Sequence, residues 1–299
     1  MSFITEIIDT NEEHSRLDKW MQRKFPLLSF TEIAKFVRKS EVRINGAKTD
    51  IKAKLELGDV ISYKEIITKI HESRKNDDSA LPTDRRARNL ANRIKDLIIF
   101  EDDKLLAIDK PLGIASQNGS GVTVSIASAF KLINSEYRLV HRLDRDTSGV
   151  MVIAKNLRTA KALAKIFKER QCCKTYVAVS TGTPRKPIGE IHYPLLNTKV
   201  GRMEKMMRNA EGLACQTEYQ VIHSFKSFTT FEVTPHTGRK HQIRAHLSLI
   251  NCPILGDVKY GGKKHSRLML HANRINFELD DEIYVIEAKL PDEFDSSCL

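Results

Sequence analysis

Apolar residues fall at helical spacing twice within the first forty positions. In "SRLDKWMQRKF" (15–25), Leu17, Trp20 and Met21 share one helical face, and Ser15 and Asp18 stand in capping-box positions at its start. A second helix is predicted from Ser29, where Ser29 and Glu32 repeat the cap spacing. Its buried stripe is Ile33, Phe36 and Val37, and Lys35, Arg38 and Lys39 stay on the wet side. The pattern then turns to strand: "VRINGAK" runs into an Asn45-Gly46 turn, and "GDVISY" closes after a Gly-Asp turn. Residues 66–96 change character abruptly. They are highly charged without a sustained apolar stripe, which predicts a mobile linker. From 97 onward strand patterns dominate ("LIIFEDDKLLAIDKP", "KTYVAVSTG", "TEYQVIHSF", "TTFEVTP", "INFELD", "IYVIEAKL"), with helices predicted over 155–169 and 240–250. Many strands with few helices between them indicate an α+β fold, with an antiparallel or mixed sheet rather than a parallel doubly wound one.

Composition narrows the class. At 299 residues, 41% of them hydrophobic, the chain is long enough for two domains, and no run of about 20 apolar residues suggests a membrane helix. The N-terminus carries acids and lacks a long apolar core, so it reads as neither a signal nor a transit peptide, and a cytoplasmic location is expected. The five cysteines (Cys172, Cys173, Cys215, Cys252, Cys298) contain no C-x-x-C pair and read as reduced thiols. A net charge of +11 favours a polyanionic partner, most often nucleic acid. That charge is locally dense. From 35 to 54 stand Lys35, Arg38, Lys39, Arg43, Lys48, Lys52 and Lys54 against only Glu41 and Asp50, a surface suited to phosphate contacts or simply to solvent. Arg85, Arg86, Arg88 and Arg93 add a second set that could order on RNA. Gly113, Gly119 and Gly121 do not form G-x-G-x-x-G, and no G-x-x-x-x-G-K-[ST] is present, so neither a bound nucleotide nor S-adenosylmethionine is supported.

The segment "HRLDRDTSG" (141–149) runs from a polar loop into the apolar "GVMVIA", and Gly149 marks the hand-over from turn to strand. Asp144 thus stands just ahead of a rigid element, where a reactive side chain is often placed. On the residues alone, a turn or salt-bridge role is favoured over a nucleophilic one. Asp146 is expected to support the Thr147-Ser148 turn. His236, His241 and His246 are spaced H-x4-H-x4-H, which is not the i, i+4 pair of a helical zinc site, so no metal is expected.

Two resemblances sharpen this picture. The pattern "RLDKWM…FTEIAKFVRKSEVRINGAK…LELGDVISY", about residues 14–65, resembles the S4 RNA-binding domain, implying RNA contacts through Lys35, Arg38, Lys39, Arg43 and Lys48. Residues 97–299 then form a separate domain beyond the 66–96 linker. There "HRLDRDTSGVMVIAK", "LAIDKPLGI" (106–114), "KTYVAVSTG" (174–182) and "TPHTGRKHQIRAHLSLINCPILGDVKYGG" (234–262) resemble the signature blocks of the pseudouridine synthases related to the ribosomal large-subunit enzymes. The resemblance implies uridine-to-pseudouridine isomerisation in large-subunit ribosomal RNA or a pre-ribosomal particle, near the peptidyl-transferase region, with no cofactor. It implies that Asp144 is catalytic and that Arg244 pairs with it, opposing the rise in pKa that burial brings. It also implies that Tyr176 lies against the base, its phenol able to help remove the C5 proton, and that Arg142 fills the space left by a flipped uridine. Leu270, or its neighbour Leu268, packs on the other face of the base, and Lys110 and Arg239 shape the cleft. A monomer is favoured. The competing readings are a non-catalytic S4-type or ribosome-assembly protein, and a synthase acting on other rRNA or tRNA sites.

Overall fold

The computed structural model describes residues 2–10, 12–25, 27–76, 82–119, 122, 124–201, 203–225 and 227–294. Gly121, residues 77–81 and Cys298, each part of a sequence expectation, lie outside the described residues, as does the side chain of Arg85. The chain divides into two units, Met1–Pro82 and Thr83–Leu299.

The first unit packs helices α1 (Leu17–Lys24), α2 (Phe30–Arg38) and α3 (Glu65–Asn76) with a four-stranded antiparallel sheet. Its strands are β1 (Phe3–Ile7), β2 (Val42–Ile44), β3 (Ala47–Lys48) and β4 (Val60–Lys64), in the order β1-β4-β2-β3. The Asn45-Gly46 turn forms with both residues at positive φ, as a tight hairpin demands. At α2 the predicted capping box is present, with Ser29 accepting from the Glu32 N–H and Glu32 reaching back to the Ser29 N–H. At α1 it is absent. The N-cap is Arg16, and Asp18 instead takes both arms of the Arg16 guanidinium at 3.0 and 2.7 Å. A bidentate charged pair outcompetes a neutral serine cap. Leu17, Met21, Ile33, Val37, Val42, Ile61 and Ile67 form the core.

The stretch expected as a linker is largely helical. Ile67 on α3 is buried in the first unit, whereas Ala87, Leu90 and Ile94 are the buried residues of α4 (Pro82–Ile94) among those described, and Leu90 and Ile94 join a core cluster of the second unit. The stripe on α4 is one residue wide per turn and includes a small Ala among arginines, so the charge density hid it.

In the second unit one ten-stranded sheet carries the order β10-β13-β14-β9-β15-β8-β6-β5. The strands are β5 (Ile98–Glu101), β6 (Leu105–Lys110), β7 (Arg138–Leu139), β8 (Ser148–Ala154), β9 (Cys172–Thr181), β10 (Ile188–Ile191), β13 (Thr217–Phe225), β14 (Phe228–Pro235), β15 (Leu270–Leu279) and β16 (Glu282–Glu287). Strand β7 pairs with β8 and β16 with β15, while β11 (Leu195–Val200) and β12 (Met203–Arg208) form a separate hairpin. Helices α5 (Ile126–Ile133), α6 (Leu157–Glu169) and α7 (Gln242–Leu249) complete the unit.

Every residue of β8 is buried, because the sheet is covered on both faces there. Val150 and Val152 join one cluster with Leu163 and Ile166 of α6, and Met151 and Ile153 join another with Ile126 and Phe130 of α5. Each such side chain contributes about 1.5–3 kcal/mol of burial. Strand β15 runs parallel to β8 through His271 opposite Ser148 and Ala272 opposite Gly149. Gly149 has φ +113°, and a Cβ there would overlap the Ala272 carbonyl, so only glycine lets the two strands meet. No helix among the described residues is long and apolar enough to cross a membrane.

Candidate active site

The loop between β7 and β8 is pinned on both sides of Asp144. His141 accepts the Val152 N–H at 2.8 Å and stacks on Phe167. Burial pushes the His141 imidazole down to about 3, which keeps it neutral and able to accept. Leu143 is buried, and its backbone is clasped by the Ser116 hydroxyl, which accepts from its N–H at 3.0 Å and donates to its carbonyl at 2.7 Å. Arg145 donates to the Gly113 carbonyl at 3.0 Å and accepts from the Gly113 N–H through its own carbonyl at 2.9 Å. Beneath it lies Lys110, fully buried, its ammonium donating to the carbonyls of Pro111 and Ile114 at 2.9 Å and of Arg145 at 3.3 Å. Burial lowers the Lys110 ammonium to about 8, with Asp146, Asp144 and Asp109 drawing it back up. Lys110 thus ties the 111–114 segment to the Arg145 backbone from a buried position.

The turn itself closes without Asp146. The Thr147 N–H bonds the Asp144 carbonyl at 3.1 Å, and Ser148 is tied to His271 and Arg267 at 2.9 and 2.6 Å. Asp146 is exposed and has no hydrogen bond or ion pair among the described residues, so its expected part in the turn is not seen. This pinning delivers the Asp144 carboxylate, 22% exposed, to the N-terminal end of α7.

There it meets Arg244, though at 4.0 Å rather than in a close pair. The guanidinium spends Nε and one Nη on Asp257, at 2.7 and 2.8 Å, and lies 5.2 Å from the Tyr260 ring centroid. Burial works against the Arg244 charge, but the Asp257 bonds and charge, with Asp144 behind them, hold it above its ordinary value. Burial pushes the Asp144 carboxyl above the usual carboxylate range despite the pull of Arg244, Arg142 and Lys240. Arg244 thus opposes the effect of desolvation without cancelling it, because its best hydrogen bonds are committed elsewhere.

His241 stands 3.7 Å from Asp144 and is driven down to about 3 by burial and by Arg244. It is a neutral polar neighbour, held by the Tyr260 hydroxyl at 3.1 Å. Tyr176, on β9 opposite Ala272, packs against the cores on either side of it, and its phenol is pushed up by burial and by the Asp144 charge. Leu270 lies diagonally across from Tyr176 on the same sheet face, opposite Ala178, whereas Leu268 precedes the strand. Arg142 is exposed and close enough to act on both Asp144 and His241.

Three groups of this site, His241, Asp257 and Tyr260, were not singled out as site residues from sequence. Their signal was present in the "GRKHQIR" and "GDVKYGG" stretches of the last block, but nothing local says which carboxylate an arginine will meet. The three histidines of that block diverge: His236 contacts Glu218, His241 faces Asp144, and buried His246 bonds Thr217 and the Tyr193 carbonyl.

Residues 104–249 match the family described as RNA pseudouridylate synthase. The chain is 38% identical over 300 aligned positions to ribosomal large subunit pseudouridine synthase C of Rickettsia felis, covering 95% of this chain and 96% of that one. To the protein of the same name from Vibrio vulnificus it is 32% identical, covering 91% and 88%. The solved structure of human RNA pseudouridylate synthase domain containing 4 superposes with a TM-score of 0.60 at 27% identity, over 70% of this chain and 94% of that one. An α+β sheet of this order, a carboxylate on a pinned turn and full-length relatives under one name agree, and the chain belongs to the RNA pseudouridine synthases, a family of isomerases.

Proposed function

We propose that this protein isomerises uridines in large-subunit ribosomal RNA, near the peptidyl-transferase region, with Asp144 as the catalytic group. The observation that carries the reading is the Asp144 carboxylate on its clamped turn, 4.0 Å from a guanidinium that Asp257 holds in place. The reaction breaks the bond between uracil N1 and the ribose, turns the base in place and rejoins it through C5, C5 giving up its proton and N1 gaining one, so the atoms balance without water or an added reductant. Such chemistry needs an ionised oxygen beside the reacting atoms and walls that keep the freed ring from leaving. Asp144 supplies the oxygen, and Arg244 stabilises its charge. The Tyr176 ring and Leu270 form apolar walls, and Arg142 at the rim takes the place of the extruded nucleotide in its stack. Tyr176 keeps its proton at neutral pH and so meets the base as a hydroxyl.

The unit Met1–Pro82 is read as the S4 RNA-binding module. Lys35, Arg38, Lys39 and Lys48 are exposed there, and Arg43 stands opposite Lys48 in the hairpin, its guanidinium over Phe3. A ribosomal RNA substrate supports a cytoplasmic location. The test is incubation of purified protein with unmodified large-subunit rRNA, followed by pseudouridine mapping. Wild type and Asp146→Asn should both form pseudouridine and Asp144→Asn none. Product from Asp144→Asn at the wild-type rate would sink the assignment.

A further inference from the structure

Beside the Asp144 loop lies a hollow of about 230 Å³ whose lining includes Lys168, Arg170, Lys174, His236 and Arg239, with Phe167 as its aromatic wall. The long cations come from three separate elements: the C-terminal end of α6, strand β9 and the loop ahead of α7. No carboxylate lines the hollow, and among the described residues none of Lys168, Arg170, Lys174 and Arg239 has an ion pair. Arg239 Nε is buried without a hydrogen-bond partner. A helix C-terminus by itself draws cations, which accounts for Lys168 and Arg170. It does not account for Lys174 and Arg239, which lie on other elements. Lys174 bears on its neighbours as uncompensated positive charge, disfavouring the charged form of His141 and favouring that of Cys172. Like charges gathered this way repel unless an anion sits among them.

The hollow is also in register with the site. Cys172, Lys174 and Tyr176 alternate along one side of β9, which puts Lys174 about 6–7 Å along the strand from Tyr176. That is on the order of one nucleotide of an extended RNA strand. Phe167, which walls the hollow, is the ring on which His141 of the catalytic loop stacks. We propose that this hollow is a phosphate subsite that holds the RNA backbone one or two nucleotides from the uridine at Asp144, an assignment that rests on the function proposed above.

The test compares wild type, the double variant Lys168→Ala/Arg170→Asn, and Lys165→Ala on an exposed part of the same helix. Asparagine suits position 170 because Arg170 has φ 61°, in the left-handed region. Equilibrium binding to an unmodified large-subunit rRNA fragment is measured across a salt series, and pseudouridine formation is measured on the same fragment. The double variant should flatten the log-affinity against log-salt slope by about one to two and raise KM roughly tenfold, the loss falling on KM rather than kcat. Lys165→Ala should match wild type. A slope and KM for the double variant equal to those of Lys165→Ala would overturn the subsite. If wild type binds the fragment but forms no pseudouridine, the proposed function fails while the slope comparison still decides whether the hollow holds phosphate.

Discussion

At the scale of single residues, the site works by dividing two opposing demands between two carboxylates. Asp257, 2% exposed, fixes the Arg244 fork with two short bonds, and Asp144 keeps only the longer contact. Removing the fixing group should therefore alter chemistry through Arg244. Asp257→Asn is expected to lower kcat with little change in KM and to move the acid limb of the pH-rate profile to lower pH, as a neighbouring negative charge is lost and the freed guanidinium turns to Asp144. An unmoved acid limb would mean that Asp257 is only structural. The same variant leaves a buried guanidinium less well paired and should cost about 3 kcal/mol of stability. Asp144 itself has a raised pKa in the folded state, so the fold bears a cost once pH exceeds that value and none when the group is protonated in both states. Asp144→Asn should accordingly melt above wild type at neutral pH, with the gap closing in acid. A lower melting temperature at neutral pH would contradict this. The motif points to Asp144, but nothing in the sequence points to Asp257, because the partner of a buried arginine is set by where α7 and the 256–262 turn meet.

At the scale of elements, the parallel contact between β8 and β15 is what brings the Asp144 turn close to Tyr176 on β9. Gly149 permits that contact by having no Cβ to meet the Ala272 carbonyl. Gly149→Ala should destabilise the second unit by at least about 3 kcal/mol, since both the positive φ and the close approach are lost. A melting curve within a degree or two of wild type would show that the strands can part without harm. The hand-over from turn to strand at Gly149 was legible in the sequence, but its parallel partner Ala272, 123 residues away, was not. The same distinction separates α2, whose capping box formed as spaced, from α1, where Arg16 captured Asp18. It separates them from α4 too, whose narrow Ala87-Leu90-Ile94 stripe was overshadowed by its arginines.

For the whole molecule, charge and burial combine into a pH dependence of folding. His141 and His271 are pushed by burial from an ordinary 6.5 down to about 3 and about 4. Below pH 6.5 the unfolded chain takes protons that the folded one refuses, so the stability these groups contribute is present above 6.5 and lost as pH falls toward their folded values. Each group weakens the fold by up to about 1.4 kcal/mol per pH unit in that window. Asp109 and Asp144, whose pKa values are raised, act in the opposite sense at the lower end. Thermal melts from pH 7 to 4 should show the melting temperature falling from about 6.5 downward, and His141→Gln should flatten the curve. A melting temperature that holds level between pH 6.5 and 5 would rule this out.

The sequence by itself determined most of the strands, four of the seven described α-helices, the cationic face of the first unit and the place of Asp144 ahead of a strand. These are local matters of periodicity, turn chemistry and motif, readable wherever the deciding residues are neighbours in the chain. Tertiary structure alone decided that Asp257 rather than Asp144 takes the close bonds of Arg244, that His241 is neutral beside the carboxylate, and that Lys168, Arg170, Lys174 and Arg239 surround one hollow. Those facts depend on which distant segments share a low-dielectric space, where desolvation and a few ångströms of separation set the charge of every group.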